Sequence, residues 1–124
     1  MAKEIYNDVG NDLTKLKDIF AIVAYGSHAE GKAHERSDID VCVVLKSNDS
    51  EKISKVLREI LKISAKNEKY DIRIFEQMPL FMKMEVIEKG QVIYTEDFSE
   101  LNEYFYFFRK LWQDQSVNWI YRQS

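Results

Sequence analysis

The sequence predicts an α/β fold of the α+β kind: a mixed β-sheet flanked by helices, with a long helix at the C-terminus. Three observations predict it. Helix-period and strand-type segments alternate along the chain in the order α-β-loop-β-α-β-α-β-α. The strongest strand segment, Asp38 to Leu45, is rich in β-branched residues. Punctuation is sparse, with Pro79 as the only proline and four glycines spread thinly, so the elements should follow one another closely. The 124 residues, 45% hydrophobic and 31% charged, suit a single globular domain over residues 1–124 and are too few for two independent cores.

Taken in order, Ile5, Val9, Leu13, Leu16 and Phe20 recur at steps of three and four, which predicts an amphipathic first helix. Ala21 to Tyr25 is a short apolar run ending at Gly26, the pattern of a buried strand. Gly26 to Ser37 is a polar loop, followed by the strand Asp38 to Leu45. Ser47 to Ser50 supplies N-cap candidates, and behind it Ile53, Val56, Leu57, Ile60, Leu61 and Ser64 mark one helical face. Tyr70 to Phe75 predicts another strand. Pro79 suits a first helical position and Gly90 the residue just past a helix end. Gln91 to Tyr94 is a short strand, and Phe98 to about Arg122 the long final helix.

The formal charge is −3, and the sequence pI is about 5.4. Such a balance gives no electrostatic reason to expect general nucleic-acid or anionic-membrane binding. Cys42, the only cysteine, sits in an apolar run and reads as a small buried hydrophobe. The N-terminus lacks the apolar core of a signal peptide, and no apolar run is long enough to span a bilayer. A cytoplasmic protein with no membrane partner is expected.

The chemistry gathers in Ser37-Asp38-Ile39-Asp40-Val41. Strand alternation puts Asp38 and Asp40 on one side, about 6.5 Å apart at the backbone, with Ile39 and Val41 toward the core. Two carboxylates on one face repel unless a cation or protons intervene, and such hard oxygen ligands suit Mg²⁺ or Mn²⁺ better than zinc. Alone, the pair reads more readily as a solvated strand face. Upstream, Gly26-Ser27 directly follows a strand, where glycine allows close backbone approach and the N–H groups of the turn form a phosphate site. An ordinary strand-to-helix turn has the same composition. Asp71 opens the strand Asp71-Ile72-Arg73-Ile74-Phe75, sharing a face with Arg73 and Phe75. If that strand neighbours Asp38–Leu45, Asp71 approaches the pair. His28 and His34 form no zinc pattern and read as solvated loop residues.

The stretch from Gly26-Ser27 through Ala29, Gly31, Ala33 and Ser37-Asp38-Ile39-Asp40-Val41 resembles the signature of the DNA polymerase β-like nucleotidyltransferase superfamily. It looks most like the minimal nucleotidyltransferase (MNT, MntA-type) branch, with its Gly-Ser, Ala-Arg-Gly and Ser-Asp-x-Asp spacing. The resemblance implies a nucleotidyltransferase fold and ATP as substrate. It implies Asp38, Asp40 and Asp71 as catalytic, metal-binding carboxylates, and Gly26 and Ser27 as nucleotide-binding residues. It further implies two-metal transfer of AMP with Mg²⁺, Mn²⁺ being the alternative ion. Members of this branch pair with a HEPN-domain toxin in type VII toxin–antitoxin modules and add AMP to a toxin tyrosine. The resemblance therefore implies an antitoxin. One position departs: Glu30 stands where the family carries Arg, and Lys32, Arg36 or Arg73 are the candidates to replace that guanidinium. This departure keeps a second expectation in view, a non-catalytic nucleotide-binding antitoxin or interaction protein on the same scaffold. A small-molecule nucleotidyltransferase is a weaker third, because larger relatives hold such acceptors with an extra domain.

The C-terminus adds an independent hint. Nine of the 16 aromatic residues lie between Phe98 and Tyr121. Leu101, Phe105, Phe108, Leu111, Trp112 and Trp119 share one helical face, while Tyr106, Phe107, Val117 and Tyr121 fall off it. A helix apolar on more than one side fits either a small core that needs every aromatic or contact with a partner, including a second copy of the chain.

Overall fold

In the computed structural model, which describes the backbone of residues 2–123 and the side-chain surroundings of residues 4–115, helices and strands alternate much as the sequence predicts. The elements are α1 (Ala2–Ile5), α2 (Asn7–Thr14), β1 (Ala21–Tyr25), α3 (Gly26–Ala29), β2 (Ile39–Val44), α4 (Ser50–Ser64), β3 (Tyr70–Ile74), α5 (Leu80–Lys89), β4 (Gln91–Thr95) and α6 (Phe98–Gln123). A 3-10 turn, Phe75–Gln77, links β3 to α5.

The four strands form one mixed sheet in the order β3-β2-β1-β4. Strand β1 runs antiparallel to both β2 and β4, while β3 runs parallel to β2. The parallel pair needs a crossover, and α4 supplies it. Alternation sorts the side chains into two cores. Ile22, Ala24, Ile39, Val41, Val43 and Ile74 pack with Val9 and Leu13 of α2 and Val56, Ile60 and Ile63 of α4. Ala21, Val23, Cys42, Val44 and Phe75 pack on the other side with Met84, Val86 and Ile87 of α5 and Leu101 and Phe105 of α6. Cys42 is fully buried, as its apolar run implies.

Several boundaries differ from the sequence reading. The first helix is broken at Tyr6 and ends at Thr14, so Leu16 and Phe20 lie on the connector to β1. Asn7, Gly10, Asn11 and Thr14 are weak helix formers, and the short helix holds only through its packed face. Phe20 donates its backbone N–H to the Val44 carbonyl at 2.8 Å and turns to the α5–α6 core. On α4 the inward stripe is Ile53, Val56, Ile60 and Ile63; Leu57 and Leu61 are exposed, the latter 70%. Ser64 is half-buried and Ile63 takes the inward place, since steps of three and four from Val56 reach 60 and 63. Gly90 is the C-cap of α5, and a Cβ there would collide with Val23 of β1 and with the Val86 carbonyl. On α6, Leu101 and Phe105 are buried and Phe108 half-buried, whereas Tyr106, Phe107, Leu111 and Trp112 are exposed. Val117, Trp119 and Tyr121 lie outside the residues whose side chains are described.

Candidate active site

The site forms where the α5–α6 face of the sheet runs out of apolar side chains. The register pairs Tyr25 with Asp40 and Asp40 with Asp71, so one cross-sheet row reads Tyr25, Asp40, Asp71. Directly paired residues point to the same face. The parallel β2–β3 pairing thus meets the condition under which the third aspartate approaches the pair. Asp38 lies one residue before β2 rather than inside it, so strand alternation does not set its direction. It is exposed, yet close enough for its charge to act on Asp40.

Gly26 explains how the row stays open. It ends β1 at φ +78°, a conformation that L side chains rarely adopt, and a Cβ on it would strike the Asp40 carboxylate. Glycine is therefore required twice, by the backbone angle and by the space. Ser27 and His28 follow on α3, one short turn whose Glu30 and Lys32 amides donate to the Gly26 and Ser27 carbonyls at 3.1 and 2.8 Å. Gln91 Nε2 donates to the Ala29 carbonyl at 2.8 Å and ties α3 to β4. Gly31, at φ +73°, then reverses the chain.

His28 is half-buried rather than solvated. Its Nε2 lies 3.4 Å from the Ser37 carbonyl, which spans the polar loop and holds α3 against the approach to β2. His34 is exposed, as expected, and closes a local turn: its N–H donates to Ser37 Oγ at 3.0 Å.

Electrostatics mark Asp40 as the centre. Burial, then the charge of Asp71, then that of Asp38, push its carboxyl up from the ordinary 3.8 to about 6; Arg73 and His28 oppose them. Burial and then Asp40 push the Tyr6 hydroxyl up to about 12, and that hydroxyl is buried with no hydrogen-bond partner among the described residues. Asp71 is held differently. Arg73 Nε donates to its Oδ1 at 3.1 Å and Nη2 to its Oδ2 at 3.3 Å. Glu30, the departure from the signature, sits at the end of α3 with Lys32 Nζ at 3.9 Å.

A divalent cation fits this set in donor chemistry. The carboxylates are hard oxygen ligands, burial and then the charges of Asp71 and Asp38 raise Asp40, and the missing Cβ at Gly26 leaves Asp40 room. Among the described residues no three His, Cys, Asp or Glu side chains are already gathered for a metal.

The model of the family described as "Polymerase beta, Nucleotidyltransferase" matches residues 7–99, three-quarters of the chain, including the Gly26 turn and all three aspartates. The chain belongs to the polymerase β nucleotidyltransferase family. A candidate protein adenylyltransferase from Methanocaldococcus jannaschii is 40% identical over 99 residues, covering 80% of this nucleotidyltransferase and 74% of that protein. Among solved structures, a chain from a toxin–antitoxin complex with AMP-PNP has a TM-score of 0.74 at 16% identity, with 90% of either chain covered. A chain from the complex of a tri-AMPylated Shewanella oneidensis HEPN toxin with its MNT antitoxin has a TM-score of 0.69 at 15% identity, covering 95% of this chain and 92% of that one. At such identities the structures establish the fold, which is that of the minimal nucleotidyltransferases. No helix among the described residues is long and apolar enough to cross a membrane.

Proposed function

We propose that residues 1–124 act as one minimal domain that transfers AMP from ATP to a tyrosine hydroxyl of a HEPN-domain toxin, as the antitoxin of a type VII module in the cytoplasm. The observation that carries this reading is the row of Asp40 and Asp71 at the end of β2 and β3, facing the Gly26 turn. The M. jannaschii relative, a candidate protein adenylyltransferase, supports the choice of a protein acceptor. The AMP-PNP and tri-AMPylated complexes of fold relatives support ATP as donor and a HEPN protein as partner.

Asp38, Asp40 and Asp71 are the residues that would hold Mg²⁺, with Mn²⁺ as the alternative. When bound, the ion supplies neutralisation of the triphosphate and lowers the pKa of the acceptor hydroxyl. The protein's own groups do the rest. The backbone amides after Gly26 and the Ser27 hydroxyl cradle the phosphates, because the left-handed turn presents N–H groups without a side chain in the way. Asp71 lies on the same face and takes the proton of the acceptor hydroxyl. The acceptor oxygen bonds to the α-phosphorus, the bond from that phosphorus to the β-phosphate oxygen breaks, and pyrophosphate leaves.

Glu30 favours a second reading, an antitoxin that binds nucleotide or toxin without transfer. One experiment separates the two. The protein is incubated with Mg²⁺, α-labelled ATP and the product of the neighbouring gene. Label on that product, absent with Asp40→Asn, supports transfer; a tight complex without label supports the binder and overturns the enzyme reading.

A further inference from the structure

Asp40 and Asp71 pair on one sheet face with the charge of Asp38 acting on Asp40, and such a concentration of carboxylates favours positive charge nearby. Position 30, where the family signature has Arg, holds Glu30. Of the three candidates to replace that guanidinium, Lys32 has its ammonium 3.9 Å from Glu30 with a side chain 78% exposed, and Arg36 is exposed on the polar loop. Among the described residues, the cation that reaches a site carboxylate is Arg73.

Its geometry is specific. Arg73 lies two residues after Asp71 on β3, so both point to the face that carries Asp40. Nε and Nη2 each donate to a different oxygen of Asp71, at 3.1 and 3.3 Å, and this two-point grip fixes the plane of the carboxylate as an ammonium could not. The remaining Nη1 lies 3.7 Å from the sulfur of Met82 on α5, which holds the guanidinium from a second element. A pair this exposed, 48% for Arg73 and 30% for Asp71, adds little stability, so its place in the carboxylate row is its significance.

We propose that Arg73 is a positioning residue that stands in for the divalent cation, neutralising Asp71 and aiming its carboxylate along the sheet face until metal and nucleotide draw Asp71 away. The inference rests on the reading of Asp38, Asp40 and Asp71 as the metal-holding set. It has an unusual sign: deleting Arg73 should strengthen metal binding, because a competing positive charge leaves and Asp71 is freed.

The test is Mn²⁺ binding to the nucleotide-free protein, followed by the electron paramagnetic resonance signal of free Mn²⁺. Arg73→Met keeps an apolar stem against Met82 and should bind Mn²⁺ about five- to tenfold more tightly than wild type, the effect of one unit charge on a divalent ion several ångströms away. Arg73→Lys keeps the unit charge without the two-point grip and should stay within about twofold of wild type in Mn²⁺ affinity, because the competing charge rather than the aim of the carboxylate sets that affinity. Asp40→Asn should lose Mn²⁺ binding. If Asp40→Asn loses the metal while Arg73→Met binds it no more tightly than wild type, the role of Arg73 is wrong and the site stands. If Asp40→Asn binds Mn²⁺ like wild type, the metal reading falls and the role of Arg73 falls with it.

Discussion

Replacing Asp40, the carboxylate proposed to carry the transfer, should stabilise the metal-free fold. The Asp40 carboxyl is raised from 3.8 to about 6, so at pH 7.5 the folded protein holds a charge that its surroundings disfavour. The shift of about two units corresponds to a ceiling of about 3 kcal/mol. Solvent reaches this half-buried group and screens it, leaving an effect of about 1 kcal/mol. No hydrogen bond to the Asp40 side chain occurs among the described residues, so isosteric Asn forfeits none of them. For a chain of this length, about 1 kcal/mol raises Tm by about 4 °C. The sign with pH follows from the same shift. Between about pH 4 and 6 the folded state binds more protons than the unfolded state, so wild-type stability is fully present below the ordinary carboxylate pKa and falls as pH rises through about 6. The assay is thermal unfolding by circular dichroism in EDTA at pH 4 and pH 7.5. Asp40→Asn should melt higher than wild type at pH 7.5 and show little gain at pH 4, and millimolar Mg²⁺ should raise Tm for wild type alone. A variant that melts lower than wild type at pH 7.5, or a gain equal at both pH values, would refute the electrostatic account of the site.

Other predictions follow from the same structure. Gly26→Ala must accept φ +78° and a clash with Asp40, so it should cost about 1–3 kcal/mol in urea unfolding and remove AMP transfer. Glu76 accepts hydrogen bonds from the Leu45 and Lys46 amides, each at 3.0 Å, and from the Tyr104 hydroxyl at 2.7 Å, where Lys46 sits at φ 57°. Glu76→Ala should therefore lower stability by about 2–3 kcal/mol, read from the denaturant midpoint at constant slope. Leu101→Ala, in the α5–α6 core, should cost about 2–5 kcal/mol, whereas Phe107→Ser, at a residue 60% exposed, should stay within about 0.5 kcal/mol by the same measurement.

What the sequence made legible was set by periodicity and by spacing. Alternation correctly turned Ile39 and Val41 toward a core and set Ile72 and Ile74 on the face opposite Asp71, because a strand offers only two faces. The long aromatic C-terminal segment is a helix, but which aromatics are buried depends on α5, whose packing no local pattern encodes. The first helix was overdrawn, since Leu16 and Phe20 keep the helical spacing while lying beyond the helix end. At the candidate site, the Gly-Ser and Asp-x-Asp spacing singled out a turn and a strand that the fold sets side by side. The strand neighbours were not legible, and with them the row of Asp40 and Asp71. Contacts far apart in sequence left no motif at all: Glu76 bracing the end of β2, Gln91 tying α3, and His28 bridging to Ser37. The i, i+2 pair of Asp71 and Arg73 was visible as a shared face, yet their two-point hydrogen bonding required coordinates.

The most direct test of the account is label transfer with ATP carrying ³²P at either the α- or the γ-phosphate, using Mg²⁺ and the product of the neighbouring gene as acceptor. Nucleotidyl transfer at the Asp40 site predicts that the α-label appears on an acceptor tyrosine, that the γ-label leaves as pyrophosphate, and that Asp40→Asn abolishes the transfer while remaining folded. Transfer of the γ-label, or equal transfer of the α-label by wild type and Asp40→Asn, would contradict it.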